Sequence, residues 1–192
     1  MLAPLTRHPR RTLATLATVL TAVGITVASG ADFTASSANP ANTFSAGTLS
    51  MNNSASNSAI LTASNLKPGG TPSTGTVDIS NTGSLAGAFT LTRGTPVDSD
   101  TTNPLSSKLD VTVTDCGVYA GGTAPTCGDG DDTAIYTGTL AQMGTTGHAI
   151  ASLGSYAASA KHRYQFSVGL DSTADNNYQG DSSTVTFTWN AA

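Results

Sequence analysis

Three stretches of the chain alternate between apolar and polar residues with a period of two, and this pattern constrains the fold more than any other feature. They are residues 109–114, 164–170 and 185–189. A period of two puts successive side chains on opposite faces of a strand, whereas a helix needs a period near 3.6. Each stretch is therefore predicted to be a half-buried strand with a Thr- or Ser-bearing outer face. The side chains expected on the buried faces are Leu109, Val111, Val113, Tyr164, Phe166, Val168, Leu170, Val185, Phe187 and Trp189.

Residues 77–79 and 85–91 predict two more strands. The residues between them include Asn81 and Gly83, which favour a hairpin turn. The weaker strand candidates are residues 47–51, 58–63 and 134–140, with turn signals at residues 67–70 and 94–96. One stretch, residues 140–156, is the candidate for a short helix. About eight short strands separated by turns predict an all-β fold, a jelly-roll-like β-sandwich.

The charge content excludes several other classes of protein. Only 10% of the 192 residues are charged, and all twelve acidic residues are aspartates. A disordered tail or a long exposed helix would carry far more charge, whereas the abundant Thr and Val favour strands. No basic stripe is present, so nucleic acid is not an expected partner.

The first thirty residues have the three parts of a secretory signal peptide. The charged part contains Arg7, Arg10 and Arg11. The apolar part is the uncharged stretch 13–27, and the small residues 28–31 that follow it form the cleavage region. This apolar run is shorter than the roughly twenty residues that span a bilayer. We therefore expect signal peptidase to remove residues 1–30, leaving a secreted chain with no permanent membrane span. The paired arginines leave both the general secretory route and the twin-arginine route open.

Cys116 and Cys127 are the two cysteines of the chain. In an exported protein an even count favours a disulfide, here closing a Gly-, Ala- and Pro-rich loop. A metal pair or a redox pair is the alternative, but the spacing is not CxxC and no further ligands accompany it. The pair is interpreted as a structural disulfide.

Several short segments occur in an order that resembles a known family. They are ADFT at 31–34, NTFSAGTL at 42–49, SNLKPG at 64–69, NTGSL at 81–85 and NYQGD at 177–181. Together with the last strand, they resemble the TasA/camelysin family of Gram-positive exported matrix proteins, whose signal peptides are SipW-dependent. The family motif positions include Leu66, Lys67, Pro68, Gly69, Tyr178, Gln179 and Gly180. The Cys116–Cys127 pair departs from the family pattern.

The resemblance implies a function in cell-surface or biofilm-matrix fibres. Subunits would assemble with copies of themselves or with related matrix subunits, each donating an N-terminal strand to the next. Residues 31–45 would be the donated strand and residues 46–192 the sandwich domain. An ordinary first strand of the same domain is the alternative for residues 31–45. Phe33 and Phe44 are the large apolar side chains of the donated segment, so they are the candidate assembly residues.

Two other functions remain open. Some relatives are named as metallopeptidases, so a camelysin-like surface metalloendopeptidase is the first alternative. The chain has no HExxH motif and no Glu, His148 and His162 are expected at the surface, and no catalytic residue is assigned. A monomeric adhesion or binding module is the second alternative.

A cluster of acidic residues gives one candidate metal site. Asp129, Asp131 and Asp132 offer the carboxylate oxygens that calcium prefers, although the spacing is not that of an EF-hand. A solvated acidic loop explains the same pattern. No cofactor is therefore assigned, and calcium is retained only as a candidate ligand.

Overall fold

Ten short antiparallel strands make up most of the regular structure in residues 45–192, the residues that the computed structural model describes. The strands are β1 (Met51–Asn53), β2 (Ser73–Asn81), β3 (Gly87–Arg93), β4 (Val97–Asp98), β5 (Leu109–Tyr119), β6 (Thr133–Thr139), β7 (Ser155–Tyr156), β8 (Lys161–Leu170), β9 (Ser183–Thr184) and β10 (Phe187–Ala191). Two 3-10 turns, Leu105–Ser107 and Asn176–Tyr178, complete the description.

The strands form two larger sheets and one small one. The five-stranded sheet has the order β1-β2-β8-β5-β6, and the three-stranded sheet has the order β10-β3-β7. Strands β4 and β9 pair separately. Side chains of the two larger sheets meet in one hydrophobic core, so the predicted all-β sandwich is confirmed.

Two of the three period-two stretches lie fully within strands, as the pattern predicts, and so do residues 77–79. Residues 109–114 are in β5, residues 164–170 are in β8, and residues 77–79 are in β2. Their alternate apolar side chains form the floor of the core, and the most deeply buried are Val77, Ile79, Val111, Val113, Tyr164 and Phe166. The prediction of a strand at residues 134–140 is also confirmed, since β6 spans Thr133–Thr139.

Four local predictions are wrong. The last strand begins at Phe187, leaving Val185 outside it, and only Met51 of residues 47–51 lies in a strand. Residues 58–63 are not a strand, and residues 140–156 contain no helix. Within residues 140–156, Gly144, Gly147 and Gly154 have φ near +80°, which is incompatible with a right-handed helix.

The turn after β2 is not a hairpin, because β2 and β3 belong to different sheets. The buried Asn81 makes this corner: its Nδ2 donates to the carbonyl oxygens of Leu85 at 2.7 Å and Tyr156 at 3.0 Å. Its Oδ1 accepts from the Gly83 N–H at 2.9 Å. Asn81 and Gly83 do form a turn, but the side-chain bonds of Asn81 direct the chain across the core into the other sheet.

The predicted disulfide is confirmed. Cys116, in β5, is bonded to Cys127 in the connection to β6, and their Cα atoms are 4.9 Å apart. No helix within residues 45–192 is long and apolar enough to cross a membrane. A disulfide-bonded all-β chain is compatible with an extracellular protein. The predicted signal peptide lies outside the described residues.

Phe166 and Phe187 form a matched pair for comparing how much a central and a marginal core residue contribute to stability. Their rings pack at a centroid distance of 4.8 Å, but Phe166 is only 1% exposed whereas Phe187 is half-buried. We expect Phe166→Ala to lower the free energy of unfolding by about 3–5 kcal/mol, and Phe187→Ala by roughly half as much. Urea unfolding of both variants measures the difference. Equal losses would contradict the assignment of Phe187 to the margin of the core.

Removing the disulfide tests its structural role. The bonded cysteines are 11 residues apart, so the double variant Cys116→Ala/Cys127→Ala should lose about 2–3 kcal/mol of unfolding free energy. Mass spectrometry before and after reduction should show a gain of two hydrogen atoms in the wild-type chain. Two free thiols in the native protein would contradict the pairing.

Candidate functional site

An open groove of about 1420 Å³ lies between the five-stranded sheet and the edge of the three-stranded sheet. Its floor is apolar and comes from β5 and β8. The floor residues are Leu109, Val111, Phe166, Val168 and Leu170. We call the end at Met51 and Trp189 the upper end of the groove, and the end at Leu66, Leu170 and Asp181 the lower end.

One wall of the groove is the unpaired edge of β10. Ala192 and Ala88 exchange both backbone hydrogen bonds, and the Gly94 N–H donates to the Thr186 carbonyl. Hydrogen bonding alternates along an antiparallel pair, so Thr188 and Asn190 also bond to β3. The backbone N–H and C=O groups of Phe187 and Trp189 therefore point away from β3, and no strand of residues 45–192 pairs with that edge.

The opposite wall is the segment that follows β1. Ile60 and Leu61 lie against the inner face of β2 at Gly75, where a Cβ atom would collide with the Ile60 carbonyl oxygen. Within residues 45–192, the backbone groups of residues 59–66 have no backbone hydrogen-bond partner. Two rows of backbone groups without partners in the described chain thus flank one apolar floor.

Three buried polar atoms belong to side chains that line this groove. They are Trp189 Nε1, Ser183 Oγ and Asp181 Oδ2, and none has a hydrogen-bond partner in the described part of the chain. Buried polar atoms are normally paired, so such a cluster at one surface is unusual. Sequence reasoning missed these atoms, because only the packing reveals which polar atoms are left without a partner.

The motif positions from the sequence converge on the lower end of the groove. Leu66, Pro68, Tyr178, Gln179 and Gly180 all line it. Gly69 supports this end, since its N–H donates to the Leu170 carbonyl at 2.9 Å while its φ is +63°. Lys67 is exposed. Phe33 and Phe44 lie outside the described residues.

The acidic candidates do come together. One carboxylate oxygen each of Asp129, Asp131 and Asp132 lies within 4.8 Å of the others, and the Gly128 N–H donates to Asp132. The protonated Asp129 can donate a hydrogen bond to Asp131, and this bond, together with the neighbouring negative charges, raises the pKa of Asp129 above its ordinary value. Such oxygens could hold a hard cation, so calcium stays a prediction.

The prediction that His162 lies at the surface is wrong. Its side chain is 17% exposed, stacks on Tyr156 at a centroid distance of 4.1 Å, and places Nδ1 3.0 Å from Asp115 Oδ2. The neighbouring Tyr164 and Tyr156 hydroxyls bond to each other, and burial raises the pKa of both. This cluster fills the upper core between the sheets. His148 lies in a separate turn, partly exposed.

The metallopeptidase alternative requires a group of metal ligands. In residues 45–192, the Asp129–Asp131–Asp132 cluster is the one group of three or more His, Cys or acidic residues with ligand atoms close enough to share an ion. Neither histidine belongs to it.

No match to a protein-family model is found for the chain, and no curated protein matches it.

The Asp115–His162 pair makes a pH-dependent contribution to stability. Burial alone would raise the pKa of Asp115, but hydrogen bonds from His162 and the Gly117 N–H outweigh it and lower the pKa below the ordinary 3.8. A carboxyl whose pKa is lowered by folding stabilises the fold above its unfolded pKa, and loses that effect as the pH falls through the folded pKa.

Asp115→Asn should therefore lower the free energy of unfolding at pH 7 by about 1–3 kcal/mol. The difference from wild type should shrink as the pH falls well below 3.8. The exposed Asp110→Asn on the same strand is the control and should change little. Urea unfolding at pH 7 and about pH 2 measures both. A loss independent of pH would contradict the role of the carboxylate charge.

Proposed function

We propose that this chain is an exported structural protein whose copies assemble into fibres, each receiving a strand from another copy in the groove. The observation that carries the proposal is the apolar floor flanked by two rows of backbone groups that have no partners among residues 45–192. An added strand would pair with the edge of β10 that no strand of residues 45–192 covers, and it would cover the half-buried Val168 and Leu170. Each net main-chain hydrogen bond contributes about 0.5–1.5 kcal/mol, so several together hold a subunit without a covalent link.

The donated strand is assigned to the residues that precede Ser45. Residues 45–50 run along the β2–β3 corner at the upper end, where the Thr48 carbonyl accepts from the Ser84 and Leu85 N–H groups at 2.8 and 3.1 Å. A chain leaving there in a head-to-tail stack enters the next copy at the lower end of its groove. The donated strand then runs antiparallel to β10, which proceeds from the lower end to the upper end.

Pro40 divides the candidate segment. Proline has no N–H and is poorly tolerated inside a central strand, which favours residues 31–39 as the strand and residues 40–44 as the connection. Nine residues extend to about 30 Å. Phe33 and Phe44 have opposite parity, so in one regular strand they would point to opposite faces. We assign Phe33 to the floor and Phe44 to the connection.

The family resemblance supports the same function. The motif residues Leu66, Pro68, Tyr178, Gln179 and Gly180, which resemble TasA/camelysin positions, form one end of the groove. In this proposal the protein is secreted after signal-peptide removal and contributes to a cell-surface or biofilm matrix. Cleavage would act as the switch, because a tethered N-terminus cannot reach another subunit.

Deleting the donated segment is the main experiment. A chain beginning at Ala31 should sediment as large assemblies and appear as fibres in negative-stain microscopy. A chain beginning at Gly47 should remain monomeric with the same β-type circular dichroism, since it keeps the Thr48 contacts at the β2–β3 corner. Fibres from the shorter chain would contradict strand donation, and an unfolded shorter chain would make the segment an intramolecular strand.

Phe33→Ala and Phe44→Ala are the matched controls. The first should weaken assembly far more than the second, because only Phe33 is assigned to the apolar floor. A protease assay with and without chelator distinguishes the metalloendopeptidase alternative. A folded monomer without protease activity would favour an adhesion or binding module.

A further inference from the structure

The two ends of the groove differ in the hydrogen-bond partner that their buried polar atoms require. Trp189 Nε1 is a donor only, and its indole is 5% exposed and tilted against the Tyr164 ring at 4.8 Å. It can bond only to an acceptor. The indole is held by packing, so its N–H has a fixed direction near the upper end.

The lower end has the opposite requirement. Asp181 Oδ1 accepts a hydrogen bond from Ser99 Oγ at 3.3 Å, and Ser99 Oγ in turn accepts from the Ser182 N–H at 2.9 Å. The Ser99 N–H also donates to the Ser182 carbonyl at 2.9 Å. These bonds fix the Asp181 carboxylate and leave Oδ2 without a partner among residues 45–192. An ionised carboxylate accepts only, so Oδ2 requires a donor.

We propose that Trp189, Ser183 and Asp181 fix the register and direction of the strand that the groove receives, an inference that rests on the proposed function. Trp189 Nε1 donates to a backbone carbonyl oxygen of the incoming strand. Asp181 Oδ2 accepts from a hydroxyl or amide donor, and Ser183 Oγ, which both donates and accepts, bonds beside it. A strand that slips by one residue reverses its faces and loses these bonds together.

Residues 31–39 of a second copy match this requirement in one direction. Alternate residues on the face of Phe33 include Ser37 and Asn39, so that face is apolar at its start and carries hydroxyl and amide donors at its end. Running antiparallel to β10, the strand places Phe33 toward Trp189 and Ser37 toward Ser183 and Asp181. A strand in the reverse direction would place Phe33 against the buried Asp181 Oδ2, and that carboxylate oxygen would then have no donor.

The proposal predicts different effects on the subunit and on the assembly. Trp189→Phe keeps an aromatic ring but removes the N–H. Since that N–H has no partner in the described subunit, its loss should not destabilise the monomer, and the smaller ring should lower the thermal stability only modestly through lost packing. The critical concentration for assembly of the chain beginning at Ala31 should rise about tenfold, the effect of one lost hydrogen bond.

Ser183→Ala should behave in the same way, and it guards against a folding defect specific to Trp189→Phe. Asn190→Ala, an exposed change on the same strand, is the control and should assemble as wild type does. If Trp189→Phe and Ser183→Ala both assemble at the wild-type concentration, the register proposal is overturned while strand donation stands. If the wild-type chain does not assemble at all, the proposed function fails first.

Cysteine cross-linking tests the direction. Ser37→Cys combined with Ser183→Cys should form intermolecular disulfides in assembled material under mild oxidation, read by mass spectrometry of the cross-linked peptides. Ala31→Cys combined with Ser183→Cys should not. Cross-linking of the second pair in place of the first would overturn the assigned direction.

Discussion

The apolar inner face of the five-stranded sheet has to be covered, and a three-stranded sheet faces it. Strands β3, β7 and β10 cover the part around Val77, Ile79 and Val113, where burial is nearly complete. Beyond the edge of β10, Val168 and Leu170 remain half-buried, and the segment after β1 lies across Gly75 without joining a sheet. The groove is the space that this unequal pair of layers leaves. Strand addition is the physical remedy for such a gap, because it supplies apolar cover and main-chain partners together.

Stability and proposed assembly are concentrated at opposite ends of the core. The upper core is filled by the Phe89, Tyr156, His162, Tyr164 stack and closed by Asn81. The Asn81 side chain bonds to Gly83 and Leu85 in the turn and to the Tyr156 carbonyl of the other sheet. The lower end has the motif turns and the Asp181–Ser99 bonds. A closed upper core allows the subunit to fold while the groove remains open to a partner. Trp189 belongs to both parts, since its ring packs on Tyr164 in the upper core while its side chain lines the groove.

Much of the sandwich could be predicted from period-two alternation. Strands β2, β5 and β8 are central strands of one sheet, so each buries one face and retains a strict pattern. The pattern failed where burial does not alternate. Residues 58–63 look like a strand because they contain Ile60 and Leu61, but these side chains pack on Gly75 from a segment without regular pairing. The cysteine pair was predictable because both residues belong to one short connection, whereas the burial of His162 depends on Tyr156, which lies in the other sheet.

The sequence by itself determined the all-β class, the positions of the central strands, the disulfide and the turn at Gly69, since these depend on periodicity or on neighbours along the chain. Only the tertiary structure decided that Asn81 turns the chain into the second sheet, that one edge of β10 has no partner strand among residues 45–192, and that Trp189, Ser183 and Asp181 line one groove. Each of these depends on contacts between residues far apart in the chain. Local alternation specifies which face of a strand is buried, but not which strand, or which other molecule, covers it.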